Sequence, residues 1–379
     1  MMRGISDTIA RFNAAAARAR VVGQPVTSNL RPLTGLGSNP GGLAGYLHLP
    51  DDLPAAAPLV VVLHGCTQTA AGYDAASGWS RLADKQGFAV LYPEQQRGNN
   101  PNTCFNWFEA GDTRRGSGEV ESIHQMIRAV TRQHAIDPRR IYITGLSAGG
   151  AMTAAMLACY PELFAGGAII AGLPYGVARD MVQAFDRMRG HGLPSGDTLS
   201  AAVTDASSHR GPWPKLSVWH GDKDATVSAA NADAIVAQWR GVHGLPAQPT
   251  RADRVDQMPH RVWCGADGQV LVEEYIIPGM GHGTPLKTKG AGAYGAAAPF
   301  MLDVGISSTL RIAEFWGIAP AGESVASQPR SEARDAATLP MRAEPRRPQG
   351  RKVEPDAARG AAGIGKVIED ALRAAGLMR

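Results

Sequence analysis

Short runs that are apolar at nearly every position recur through the middle of the chain, at 58–63, 88–92, 140–144, 164–171 and 215–219. Such runs lack the alternation of a half-exposed strand. They suit a parallel sheet whose two faces are both covered by helices. Between them lie stretches with helical spacing of apolar residues, at 74–86, 118–134, 147–160 and 228–242. Asp137-Pro138 is expected to stop the second of these ahead of its strand. A further run at 271–277 (LVEEYII) reads as another strand. This alternation predicts an α/β domain with a mostly parallel sheet, helices on both faces and a single catalytic domain.

The two ends follow a different pattern. Residues 1–33 are rich in Ala and Arg, and Ile5, Ile9 and Phe12 allow one short helix. Residues 320–379 are largely Ala, Arg, Pro and Glu, as in a disordered tail, until Ile364, Val367, Ile368 and Leu372 suggest an amphipathic helix over 363–377. The folded domain is therefore expected within 34–319. The N-terminus lacks a continuous apolar stretch of signal-peptide type, so a cytoplasmic location is expected from the sequence. No run approaches the roughly 18 apolar residues needed for a membrane span.

Charge adds one exclusion. The 379 residues carry 38 Lys+Arg and 34 Asp+Glu, a net +4. The flanks hold 16 of the basic residues and 9 of the acidic ones, leaving 22 and 25 for residues 34–319, a net −3. The catalytic region thus has no basic excess that would favour nucleic acid. Cys66, Cys104, Cys159 and Cys264 are widely spaced and form no C-x-x-C, which argues against a structural zinc site and leaves their redox state open.

Four short strings then stand out, each directly after a predicted strand. Gly145-Leu146-Ser147-Ala148-Gly149 joins a β-branched strand to an Ala/Met-rich helix, the context of a nucleophile elbow. His64-Gly65-Cys66-Thr67-Gln68 follows the most apolar strand and could offer a backbone N–H, that of Cys66, beside the one from Ala148, to hold an oxyanion. His220-Gly221-Asp222-Lys223-Asp224 supplies two candidate carboxylates. Asp224 is favoured because it lies farther from the strand end, with Asp222 as a turn organiser. Gly279-Met280-Gly281-His282-Gly283 presents one imidazole between glycines. Ser147, Asp224 and His282 occur in the order expected of an α/β-hydrolase, with no metal or cofactor needed.

Through the runs VVLHGCTQTAAGYDAASGW, CFNWFEAGDTRRGSGEV, DPRRIYITGLSAGGAM, AGLPYGVA, HGDKDATVSAANAD and PGMGH, residues 42–317 resemble the polyhydroxybutyrate depolymerase family of esterases. That family is in turn similar to feruloyl and acetylxylan esterases. The resemblance implies an α/β-hydrolase fold and a metal-independent serine esterase. It implies Ser147 as nucleophile with Asp224 and His282, Cys66 and Ala148 as oxyanion donors, and Trp107 as part of the substrate surface. Tyr175, with Trp79, Phe105 and Trp213, is a further aromatic expected near the site loops, and Tyr175 is expected to bind substrate. The expected substrate is a short-chain polyhydroxyalkanoate polyester or its oligomers. A feruloyl or acetylxylan ester is the alternative, and a granule-binding protein with an idle hydrolase domain is an alternative of another class. Family members that attack external polymer usually carry a signal peptide and often an appended polymer-binding domain, neither of which is legible here, so the extracellular location that the resemblance implies stands as the alternative to a cytoplasmic one. Val177 stands where the family's YGCA-like segment has a cysteine.

Overall fold

The computed structural model describes residues 29–321 of the chain. The helices expected around Ile5–Phe12 and over 363–377 lie outside the described residues. The main sheet has ten strands in the order β1 (Arg31–Pro32), β2 (Ala44–His48), β4 (Ala89–Glu94), β3 (Ala57–Leu63), β5 (Ile136–Leu146), β6 (Gly166–Ile170), β7 (Lys215–Gly221), β10 (Val270–Ile277), β9 (Met258–Cys264) and β8 (Arg251–Val255). Strands β4, β3, β5, β6, β7 and β10 pair in parallel. The pairs at both edges are antiparallel. Two short strands, β11 (Thr284–Leu286) and β12 (Met301–Asp303), make a separate parallel pair.

The apolar runs explain the layering. All seven residues of β3 are buried. Because successive side chains point to opposite faces, Leu59, Val61 and Leu63 join one core while Val60 and Val62 join the other. The first core is shared with helices α3 (Gly118–Gln133), α4 (Ala148–Cys159) and α7 (Ala230–His243). The second is closed by α1 (Ala70–Ser77), α2 (Trp79–Gln86) and α8 (Ser308–Trp316), with Trp316 stacked between Trp79 and Tyr142. Helices α5 (Met181–Met188) and α6 (Gly196–Asp205) sit in the excursion between β6 and β7. Among the described residues no helix is long and apolar enough to cross a membrane.

Three expectations are corrected. The helix expected at 74–86 is two helices, broken at Gly78 in the left-handed region at φ 76°. A Cβ there would lie 2.0 Å from the Tyr294 carbonyl oxygen, so a distant segment dictates the break. Asp137-Pro138 does not precede its strand but lies inside it, since β5 begins at Ile136, paired with Ala57. The strand expected at 164–171 is shortened to β6, because the Phe164 N–H is taken by Pro161 O in a 3-10 turn and Ala171 leaves the strand at φ 46°.

Candidate active site

Ser147 ends β5 and begins α4, with φ 57° and ψ −117°. That is an unfavourable conformation for a non-glycine residue, and surrounding contacts must impose it. The flanking glycines are part of that imposition. A Cβ on Gly145 would lie 2.3 Å from the Gly149 carbonyl oxygen. One on Gly149 would lie 2.5 Å from the carbonyl oxygens of both Leu63 and His64. The Ser147 N–H donates to Ile170 O on β6 at 2.9 Å, tying the turn to the next strand.

The loops after β5, β7 and β10 meet at this turn. His282 Nε2 lies 2.9 Å from Ser147 Oγ, and its Nδ1 lies 2.7 Å from Asp224 Oδ2. Asp224 is fixed from its other side, its Oδ1 accepting from the Thr226 and Val227 amides at 2.8 and 2.9 Å. Burial works to raise the pKa of Asp224, but the neighbouring His282 and the hydrogen bonds from His220 and His282 outweigh it and hold the carboxyl well below its usual range. The carboxylate is therefore charged across the neutral range. Asp222 faces elsewhere, accepting from the Gly279 amide at 2.7 Å. That bond joins the loop carrying Asp224 to the loop carrying His282.

The loop after β3 lies against the same turn. His64 is buried, its Nε2 accepting from the Gln95 amide at 3.2 Å and its Nδ1 lying 2.8 Å from Gly65 O. A carbonyl only accepts, so Nδ1 carries the hydrogen and the ring is neutral. Burial pushes its pKa down to about 4. His64 thus braces the loop from within. Gly65 N–H is held by Gln68 Oε1 at 2.8 Å. Cys66 forms a disulfide with Cys104 that ties this loop to the segment carrying Phe105, Asn106 and Trp107. The amides of Cys66 and Ala148 have no hydrogen-bond acceptor among the described residues. Both are free to donate to a ligand, and the Ala148 amide lies at the positive end of α4. A cleft lined by Gly65, Cys66, Gln68, Leu146, Ser147, His282 and Phe300 opens on the serine. A hydroxyl, an imidazole and a carboxylate in sequence, beside two free amides, can carry out nucleophilic acyl transfer.

The expected aromatics behave differently. Tyr175 does not line the cleft. Its ring packs on the first core, its hydroxyl donates to Thr113 O at 3.2 Å, and its backbone is held by the Gln238 side chain, so its polar groups are already engaged. Trp107 packs against a small cluster made of Ala151, Leu173, Val177, Leu199 and Val227, outside the cleft lining. Trp79 and Phe105 are fully buried, and Trp213 packs on the core. Sequence reasoning passed over Gln68, Phe300 and Glu119. Glu119 is buried and accepts from the Asn106 amide at 2.9 Å and from the Gln95 side chain, which also donates to Cys104 O. Burial, and then the nearby Asp112, push its carboxyl up to about 8. An acid in the first turn of an otherwise amphipathic helix gives no sign in sequence that it is buried. Among the described residues, no group of three or more His, Cys, Asp or Glu side chains is arranged to hold a metal ion.

A family model described as Esterase PHB depolymerase matches residues 43–261, more than half of the chain. The chain belongs to this family. It is a PHB depolymerase-family esterase, a hydrolase acting on ester bonds, with an α/β-hydrolase fold. It is 49% identical over 295 residues to poly(3-hydroxyalkanoate) depolymerase C of Paucimonas lemoignei, covering 76% of this chain and 70% of that protein. It is 32% identical over 266 residues to acetylxylan esterase A of Emericella nidulans, covering 68% of this chain and 86% of that one. Acetyl xylan esterase from Aspergillus awamori has the same fold, with a TM-score of 0.65 at 24% identity over 77% of this chain and 100% of that one.

Proposed function

We propose that this esterase cleaves short-chain polyhydroxyalkanoate polyester or its oligomers through an acyl-enzyme on Ser147. The hydrogen-bonded sequence Ser147–His282–Asp224, at 2.9 and 2.7 Å, carries the reading. His282 Nε2 accepts the Ser147 proton as Oγ attacks the ester carbonyl. Asp224 orients the ring and stabilises the imidazolium. The amides of Cys66 and Ala148 donate to the developing oxyanion. His282 then protonates the departing alkoxide, and water activated by the same imidazole releases the acid.

The substrate order follows the degree of likeness. The 49% identity to a poly(3-hydroxyalkanoate) depolymerase supports polyester ahead of the acetylxylan esters named for relatives near 30%. Trp107, beside the serine helix, is the aromatic assigned to the substrate surface. The engaged serine, imidazole and carboxylate speak against an idle hydrolase domain that only binds granules. The test compares release of 3-hydroxybutyrate from amorphous poly(3-hydroxybutyrate) with release of acetate from acetylated xylan and ferulate from methyl ferulate. Faster release from polyester is expected. Release of acetate or ferulate with none from polyester reverses the order, and polymer binding with no turnover of any ester revives the idle-domain reading.

A further inference from the structure

Behind Asp224 lies a second pair of ionisable side chains that the reaction just described does not use. His220, on β7, is fully buried. Its Nε2 lies 2.9 Å from the Val227 carbonyl oxygen and 3.4 Å from Asp224 Oδ2. The carbonyl can only accept, so Nε2 carries a hydrogen, shared between the two oxygens. The other ring nitrogen, Nδ1, is buried without a hydrogen-bond partner. On the neighbouring strand β10, Glu274 is 1% exposed. Its Oε2 accepts from the Arg261 guanidinium, while its Oε1 is likewise buried without a partner.

Val218 pairs with Glu274 and His220 with Ile276, so His220 and Glu274 are diagonal neighbours on one face of the sheet. That face is the one α7 covers, since Val218 and Ile276 share a core with Ile235 and Trp239. Burial raises the Glu274 pKa against the pull of Arg261. The charged and titratable groups facing the pair are Asp224 from the loop after β7, Arg261 from β9 and Asp233 from α7.

We propose that His220 is a positioning residue for Asp224, its tautomer set by the Val227 carbonyl. The inference rests on the Ser147 reading above. The His220 N–H is a second donor on Asp224 Oδ2, the same oxygen that accepts from His282. It fixes the plane of the carboxylate and withdraws part of its charge from the imidazole. Without it, Oδ2 is left to His282 alone, the imidazolium becomes more stable, and the carboxylate is less well held.

The test is the pH profile of kcat/KM on p-nitrophenyl butyrate with the full chain. His220→Leu is expected to move the acid limb upward by roughly 0.5–1 pH unit, the scale of one hydrogen bond to a charged group, with kcat reduced about tenfold. His220→Gln, which keeps a donor at the Nε2 position, is expected to return the limb to the wild-type value. If His220→Leu fails to fold, His220→Asn, too short to reach Asp224, reads the same limb. An unmoved limb in a folded His220→Leu or His220→Asn protein overturns the positioning role. Ser147→Ala in the same assay separates the levels. Full activity there overturns the underlying reading and this one with it, whereas lost activity with unmoved His220 limbs overturns this one alone.

Discussion

Gly149 packs its α-carbon onto the backbone of His64, so closely that a Cβ would stand 2.5 Å from the His64 carbonyl oxygen. This contact joins two elements that contribute separately to the site. The serine turn offers the Ala148 amide and the loop after β3 offers the Cys66 amide, and both can meet one oxygen only if their backbones touch.

Gly149→Ala is therefore expected to reduce kcat/KM by at least about tenfold, because displacing one oxyanion donor costs on the order of 10²–10³ in rate. Its melting temperature should fall as well, since the clash is with backbone and overpacking costs about 1–3 kcal/mol. Kinetics and thermal unfolding of the purified variant check both. Wild-type kinetics would show that the contact does not place the donors.

The Cys66–Cys104 disulfide fastens one of those donors to the segment before Trp107. Cys104→Ser, or reduction by dithiothreitol, should lower the unfolding free energy by about 2–4 kcal/mol. It should reduce kcat more than it raises KM, because a loosened amide weakens the transition state more than the bound ester. Steady-state constants with and without reductant test this. A change confined to stability would mean that the loop keeps its position without the bridge.

His64 ties the same loop to pH. Burial lowers its folded pKa to about 4 from an ordinary value near 6.5. Its contribution is complete above about pH 6.5 and is lost as pH falls toward 4, on the order of 3 kcal/mol across that window. Thermal melts from pH 7 to pH 4 should decline, and more gently in His64→Gln. Equal slopes would indicate that the imidazole becomes charged without cost.

His260 acts with the opposite sign. It lies between Asp253, at 2.8 Å, and Glu273, at 3.1 Å. Burial works to lower its pKa, but the hydrogen bonds and charges of Glu273 and Asp253 raise it overall. The stability it supplies is complete below its unfolded pKa near 6.5 and is lost as pH rises through the folded value. His260→Gln should flatten the alkaline side of the melting profile while leaving ester hydrolysis unchanged. A wild-type slope in that variant would contradict the assignment.

The parts of the fold legible in sequence were those with local causes. Strands β3, β4, β5, β6 and β7 announce themselves because both faces of each are apolar. The hairpin β8–β9 does not, since β8 is exposed at four of its five positions and carries Arg251, Asp253 and Arg254. The break at Gly78 depends on Tyr294, more than 200 residues away, and no periodicity within 74–86 carries that information. The site divides in the same way. Glycines around Ser147 and His282 mark tight turns after strands, so the strings can be read directly. Asp224 is favoured over Asp222 by its distance from the strand end, and the folded loops add what each carboxylate holds, His282 for Asp224 and the Gly279 amide for Asp222. Tyr175 was drawn to the site by its position after β6, yet its hydroxyl is taken by Thr113. The pairing of Cys66 with Cys104 had no local signature at all.

The most direct measurement is covalent labelling by a fluorophosphonate, followed by mass spectrometry of the modified peptide and ester hydrolysis by the same preparations. The adduct is expected on Ser147, absent in Ser147→Ala and strongly slowed in His282→Ala, with hydrolysis lost in parallel. An adduct on another residue, or undiminished ester hydrolysis by Ser147→Ala, would contradict the account.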